Sequence, residues 1–150
     1  MIAEYSRDLA KVRLDRALEL LSEAEDRLED GNYKSANNRA FYSAEKSIKA
    51  ALAVIGKDSE THNGMILMFN EEFIRHSSDF FDHDDLINIR RMERIRCASD
   101  YDDFYIASKA DCMHQVEYAR KLFNKVSDFL RSEGALWSRD FGWMVYKFPV

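Results

Sequence analysis

The sequence lacks the features that are typical of secreted and membrane-spanning proteins. It holds one proline and two cysteines in 150 residues, which argues against a disulfide-stapled secreted domain. No apolar run approaches the roughly 18 residues that cross a bilayer, and charges interrupt the N-terminus where a signal peptide would have its apolar core. Apolar residues make up 46% and charged residues 33%, a balance typical of one globular domain. We therefore expect a cytoplasmic protein that does not enter a membrane.

The signatures of common enzyme classes are also absent. The chain contains no HExxH, Walker loop, GxGxxG or GxSxG motif, and these motifs serve zinc hydrolysis, phosphate binding, dinucleotide binding and serine hydrolysis. The histidines and cysteines show no metal-ligand spacing, so we predict no metal site and no cofactor. The net charge is −5, which means that any nucleic acid would have to bind a local basic patch.

The pattern of apolar residues predicts helices throughout most of the chain. Apolar side chains recur every three or four positions in segments near 7–29, 33–55, 65–74 and 84–101 and in a fifth that starts after Ser108. Glycine follows three of these segments, as expected where a helix ends in the left-handed conformation. There is no solenoid repeat and no long heptad run. We predict an all-α, up-and-down bundle of four to five helices over residues 1–134.

Residues 135–150, ALWSRDFGWMVYKFPV, form a C-terminal apolar tail of different composition. Ten of these sixteen residues are apolar, and the alternation over 143–148 is compatible with a short strand. A tail this apolar favours burial over free exposure to water. Two alternatives remain open: the tail packs on its own bundle, or it packs on a partner.

Three segments carry a family resemblance. They are NYKSANNRAFYSAEKSIKAAL at 32–52, THNGMILMFNEEFI at 61–74 and RIRCASDYD at 94–102. The first holds Arg39 and Tyr42 in an S-R-A-Y-Y-like element, the second holds His62, and the third has an R-x-x-x-D-Y pattern formed by Arg96, Asp100 and Tyr101. In this order and spacing, over roughly residues 12–132, the chain resembles the HEPN family of helical-bundle proteins.

The resemblance implies several properties. HEPN proteins are bundles of four or five helices that are usually homodimeric. Many are metal-independent ribonucleases of toxin–antitoxin systems, while others bind RNA or nucleotides or act as partners of small nucleotidyltransferases. Such a partner can attach AMP to a tyrosine near the motif, and Tyr101 and Tyr105 are the candidates here.

One departure from the family pattern bears on the activity. The ribonuclease members carry arginine, four to six residues and then histidine, because a histidine moves the proton and an arginine holds the phosphate. No arginine of this chain is followed by histidine at that spacing. Four residues separate Arg96 from Tyr101, so a tyrosine stands where the motif would have its histidine. This favours a nucleotide- or RNA-associated interaction protein in a two-gene system. The alternative is a ribonuclease that uses Arg96 with Asp100 or Tyr101.

The remaining candidate site residues lie on the three matching segments. We predict that Arg39 pairs with Glu93 or Asp100 of the fourth helix. Four residues are predicted to contribute to a ligand site: Arg39, Tyr42, His62 and Glu93. Arg96 either contacts phosphate or forms a buried ion pair. The stretch 90–96 holds four arginines, so RNA would be expected to bind there.

Overall fold

The computed structural model describes residues 2–76 and 79–136, and these form an all-α bundle, as predicted. The five α-helices are α1 (Glu4–Glu29), α2 (Tyr33–Val54), α3 (His62–Phe69), α4 (His83–Tyr101) and α5 (Lys109–Ser132). A π-helical segment, Asn70–Ile74, continues α3 directly. The residues described include no helix that is long and apolar enough to span a membrane.

Helix α2 occupies the centre of the bundle, in contact with α1, α3, α4 and α5. Its buried face is built from small side chains, including Ala36, Ala40 and Ala44, which allow neighbouring helix backbones to approach closely. The Ser43 hydroxyl, buried in the same face, donates to the Ala17 carbonyl of α1 at 2.8 Å. This alanine-rich helix is therefore the element around which the others assemble.

The predicted helix ends agree with the structure in most places. Gly31 and Gly56 follow α1 and α2 with φ of 80° and 72°, a region that side chains with a Cβ rarely adopt. The Ser108 hydroxyl accepts from the Asp111 backbone N–H and caps α5, as the sequence indicated. Two boundaries differ: α3 begins at His62, three residues before the predicted segment 65–74, and α4 begins at His83, one residue before the predicted segment 84–101.

Aromatic rings of the hydrophobic core gather around the π-helical segment. Phe73 lies within this segment, and its ring centre is 5.1 Å from that of Phe129 in α5. Phe69, Phe80 and Phe81 complete the group of interlocking rings. Ala135 and Leu136, the first two residues of the predicted tail, follow α5 and are both buried. The remainder of the predicted tail, and with it the expected strand, lies outside the described residues.

A buried carboxylate joins the start of α4 to α5. Asp85 is 1% exposed, and its two oxygens accept from the Tyr118 hydroxyl at 2.6 Å and the Lys125 ammonium at 2.8 Å. The same side chain accepts from the backbone N–H of Asp82, and Asp82 caps the helix in return. Burial, followed by the charge of Asp85, raises the pKa of Tyr118, so this phenol remains a hydrogen-bond donor.

We expect Tyr118→Phe to lower the free energy of unfolding by about 1.5–3 kcal/mol, the usual value of a hydrogen bond to a charged group. Urea denaturation followed by circular dichroism measures the change. Tyr5→Phe is the matched control because Tyr5 is 76% exposed, and this variant should unfold like the wild type. Equal stability of the two variants would contradict the role given to the Tyr118 hydroxyl.

Candidate functional site

Several of the predicted site residues meet where the N-terminal half of α2 packs against the C-terminal half of α4. Arg96 lies at the centre and is only 4% exposed. Its Nη2 donates to Glu93 Oε1 at 2.7 Å, and its Nη1 lies 3.5 Å from Asp100 Oδ2. Of the two alternatives for Arg96, the buried ion pair is present, and Glu93 is its principal partner.

Aromatic rings enclose the same guanidinium. The Cζ atom of Arg96 lies 5.3 Å from the ring centre of Phe41, 6.0 Å from that of Tyr42 and 5.9 Å from that of Tyr101. These distances allow cation–π attraction. Phe41 is buried, whereas Tyr101 is 77% exposed at the last residue of α4. Arg96 is therefore covered toward solvent by a tyrosine that is itself accessible.

The electrostatics of this group keep the charge of Arg96 fixed. Burial disfavours a charged side chain, but the hydrogen bond and the negative charge of Glu93 hold the pKa of Arg96 above its ordinary value. The Cys97 thiol also donates to Glu93 Oε1, at 3.4 Å. Burial and then Glu93 raise the pKa of Cys97, so this cysteine is not an activated nucleophile.

The prediction that Arg39 pairs with a carboxylate of α4 is wrong. Its Nε lies 3.2 Å from Glu23 Oε2 of α1, and its Nη1 donates to Asn38 Oδ1 at 2.8 Å. Asn38 in turn donates to both Asp100 oxygens, at 3.1 and 3.2 Å. Adjacent residues of a helix face different directions, so Asn38 faces α4 and Arg39 faces α1. The sequence analysis missed Asn38, which stands directly before the arginine of the family element.

His62 lies beside the same group of side chains, through a partner that was not among the predicted site residues. Its Nδ1 contacts the Glu45 carboxylate of α2. Its ring centre is 5.3 Å from that of Phe41 and 5.8 Å from that of Tyr42. The missed signal was the position of Glu45. It is the lone acid in the small and apolar run 40–45, and it lies three residues after Tyr42 on the same helix face.

The Tyr42 side chain lies close to both Arg96 and His62. Burial raises the pKa of Tyr42, the positive charge of Arg96 lowers it, and the negative charge of Glu45 raises it again. The net direction is upward, so the phenol stays protonated at neutral pH. The site thus brings together the buried guanidinium of Arg96, the hydroxyl of Tyr42 and the imidazole of His62, which contacts a carboxylate. The ring of Tyr101 lies beside the guanidinium.

Comparison with known proteins identifies the family. The HEPN domain model matches residues 10–129. Among solved structures, TT1696 from Thermus thermophilus has the same fold, with a TM-score of 0.66 and 20% sequence identity over 79% of this chain and 96% of that chain. Comparison with curated protein sequences gives no match. Because the family model spans most of the chain and includes the segments that build the site, the chain belongs to the HEPN domain family.

Proposed function

We propose that this HEPN protein is an RNA- or nucleotide-associated interaction protein that works as one component of a two-gene, toxin–antitoxin-like system. The observation that carries the proposal is the outward face of α4. Arg90 and Arg94 are exposed there, beside the exposed Ile87, and their spacing places all three within one stripe of the helix. Exposed guanidinium groups suit phosphate oxygens.

The neighbouring residues define the extent of this basic stripe. Arg91 does not belong to it, because its Nη2 pairs with Asp111 of α5 at 3.0 Å. Arg96 points to the opposite side of the helix and is held by Glu93. Tyr101 ends the helix with its ring exposed, in a position where a base can stack on it. Two arginines followed by an accessible aromatic ring are a pattern that suits single-stranded nucleic acid.

A ribonuclease that uses Arg96 with Asp100 or Tyr101 is the second candidate, because the three side chains lie together. Asp100, however, accepts from Asn38 and pairs with Arg96. A carboxylate engaged by two partners is a poor choice for moving a proton. The binding role is therefore better supported than this form of the enzyme.

We also propose that the chain forms a homodimer through the connection between α4 and α5. Phe104 is 95% exposed and Ile106 is 87% exposed, and large apolar side chains exposed together mark interaction surfaces. Their position beside Tyr101 would bring the sites of two subunits close to each other. A small nucleotidyltransferase would be the second partner.

Replacing both Arg90 and Arg94 with alanine should weaken RNA binding by about tenfold at low salt and reduce the salt slope of log Kd by roughly 2, since each lost phosphate contact removes about one. Fluorescence anisotropy with a labelled single-stranded RNA measures both quantities. The double variant Arg16→Ala, Arg27→Ala removes the same charge from α1 and should bind like the wild type. Equal binding by all three proteins, or none by the wild type, would reject the proposed RNA interface.

The double variant Phe104→Ser, Ile106→Ser should be monomeric, because it removes the apolar contact proposed between subunits. Light scattering coupled to gel filtration gives the mass, and circular dichroism shows whether the fold is retained. Tyr5→Ser, Val12→Ser is the control, since it removes two exposed apolar side chains from α1, and we expect it to stay dimeric. A wild-type monomer at micromolar concentration would exclude this homodimer.

The proposed nucleotidyltransferase should add AMP to Tyr101 and not to Tyr105. Tyr101 is exposed, whereas the Tyr105 hydroxyl is buried and burial raises its pKa. The experiment incubates the chain with a small nucleotidyltransferase, if one is encoded beside it, together with ATP and magnesium, and measures the intact mass. Tyr101→Phe should abolish the mass increase and Tyr105→Phe should preserve it. No increase in the wild type would argue against this partner.

A further inference from the structure

We propose that residues 137–150, the part of the C-terminal tail that follows Leu136, dock onto the outer face of α1 in the same chain. An exposed helix face and an apolar segment then cover each other, and no partner protein is needed for either. The HEPN domain model ends at residue 129, so this contact is a property of the chain that the domain does not supply. It is independent of the proposed association with RNA.

The chain leaves α5 in a turn that directs it back onto the bundle. Gly134 follows the helix with φ of 72°. The backbone N–H groups of Gly134 and Ala135 donate to the carbonyls of Arg131 and Leu130, at 3.0 and 2.8 Å. These two bonds form the Schellman motif that ends many helices. Ala135 and Leu136 are each 3% exposed, so the tail begins beside the core and not in open solvent.

The helix directions place the start of the tail near the first half of α1. Contacts between side chains show that α1 and α2, α2 and α4, and α4 and α5 are antiparallel pairs. Helix α5 is therefore antiparallel to α1, and Arg120 of α5 pairs with Glu25 of α1. At about 1.5 Å per residue, the end of α5 at Ser132 is displaced by about 18 Å from that pair and lies roughly level with Arg13.

The face of α1 at this level is open. Among the described residues, α1 packs only against α2 and α5, and Val12 is 63% exposed. Two adjoining hollows of about 370 and 530 Å³ lie along the helix, and Asp15 and Glu19 line both. The first hollow includes Val12, and the second includes Leu18 and Glu23. We call this strip, from Val12 to Glu23, the α1 groove. The described lining of the second hollow comes from α1 alone, which leaves its other side for a further segment.

The length of the tail is sufficient to follow the α1 groove. Fourteen residues reach at most about 46–50 Å, whereas Val12 and Glu23 are separated by about 16 Å along the helix axis. The groove also ends close to the candidate site, because Glu23 pairs with Arg39. A tail that starts level with Arg13 can therefore cover the whole groove.

The composition of the tail also suits the α1 groove. Eight of its fourteen residues are apolar, and the side chains of Arg139, Asp140 and Lys147 give it a net charge of +1. The groove offers the exposed Val12 together with three carboxylates. Covering Val12 removes apolar surface of both segments from water, and the excess positive charge of the tail matches the acidic side chains.

Tryptophan fluorescence of the full chain tests the docking directly, because both tryptophans, Trp137 and Trp143, lie in the tail. The wild type should emit at shorter wavelength than the urea-unfolded chain and should be protected from quenching by acrylamide. In Val12→Lys, Asp15→Lys, the groove loses its exposed apolar side chain and one of its acids. The quenching constant of this double variant should rise to that of the unfolded chain.

A matched variant controls for the added charge. Met113→Lys, Glu117→Lys replaces an apolar residue and an acid on an exposed part of α5, and its tryptophans should be as protected as those of the wild type. Circular dichroism should show unchanged helix content in both double variants, because all four positions are exposed and lysine favours helices.

Dilution separates docking within one chain from docking onto a second copy. Protection within one chain does not depend on concentration, so it should persist on dilution and in Phe104→Ser, Ile106→Ser. Loss of protection on dilution would assign the tail to a second copy and overturn the proposed contact. Tryptophans of the wild type that are quenched like those of the unfolded chain would also overturn it, as would protection that survives in Val12→Lys, Asp15→Lys. None of these results bears on RNA binding, which is measured separately.

Discussion

The buried guanidinium of Arg96 is the constraint on which the site depends. A charge withdrawn from water is costly unless partners surround it, and here Glu93, Asp100 and three aromatic rings meet that requirement. Removing one partner of a buried pair typically costs about 3–5 kcal/mol. Glu93 and Asp100 lie on α4 with Arg96, whereas the contacts from Arg96 to α2 are those with the rings of Phe41 and Tyr42.

The polar contacts that start at Arg96 continue through α2 to a third helix, α1. Asp100 is held by Asn38, Asn38 accepts from Arg39, and Arg39 pairs with Glu23. A shift of α4 relative to α2 would therefore disturb a contact on α1. Within the described residues, polar side chains connect three helices at the end of the bundle where Tyr101 is exposed.

Much of the fold follows from the sequence because helix periodicity and capping are local properties. The apolar repeats of α1 and α5 and the cap at Ser108 needed no knowledge of neighbours, and all were predicted. The extended start of α3 was missed because His62 and Gly64 are poor helix formers in isolation. The Thr61 cap and the contact of His62 with Glu45 hold them in the helix, and the second of these is tertiary.

The sequence points to residues of this group of side chains, but it does not determine which of them pair with one another. Arg96, Tyr42 and His62 stand out because charged or polar side chains interrupt apolar faces. Which carboxylate each cation meets depends on the rotation of one helix against another, and the pattern within one helix does not determine that rotation. The error at Arg39 has this origin.

The π-helical segment Asn70–Ile74 has an evolutionary consequence. A π-turn holds about one more residue than an α-turn, so the bundle accommodates that residue without a longer α3. Loss of that residue would rewind the segment and rotate everything after it by about 100°, which would take Phe73 out of the ring cluster with Phe81 and Phe129. Relatives of this chain that are shorter by one residue here should therefore carry their large aromatic side chain at a neighbouring position.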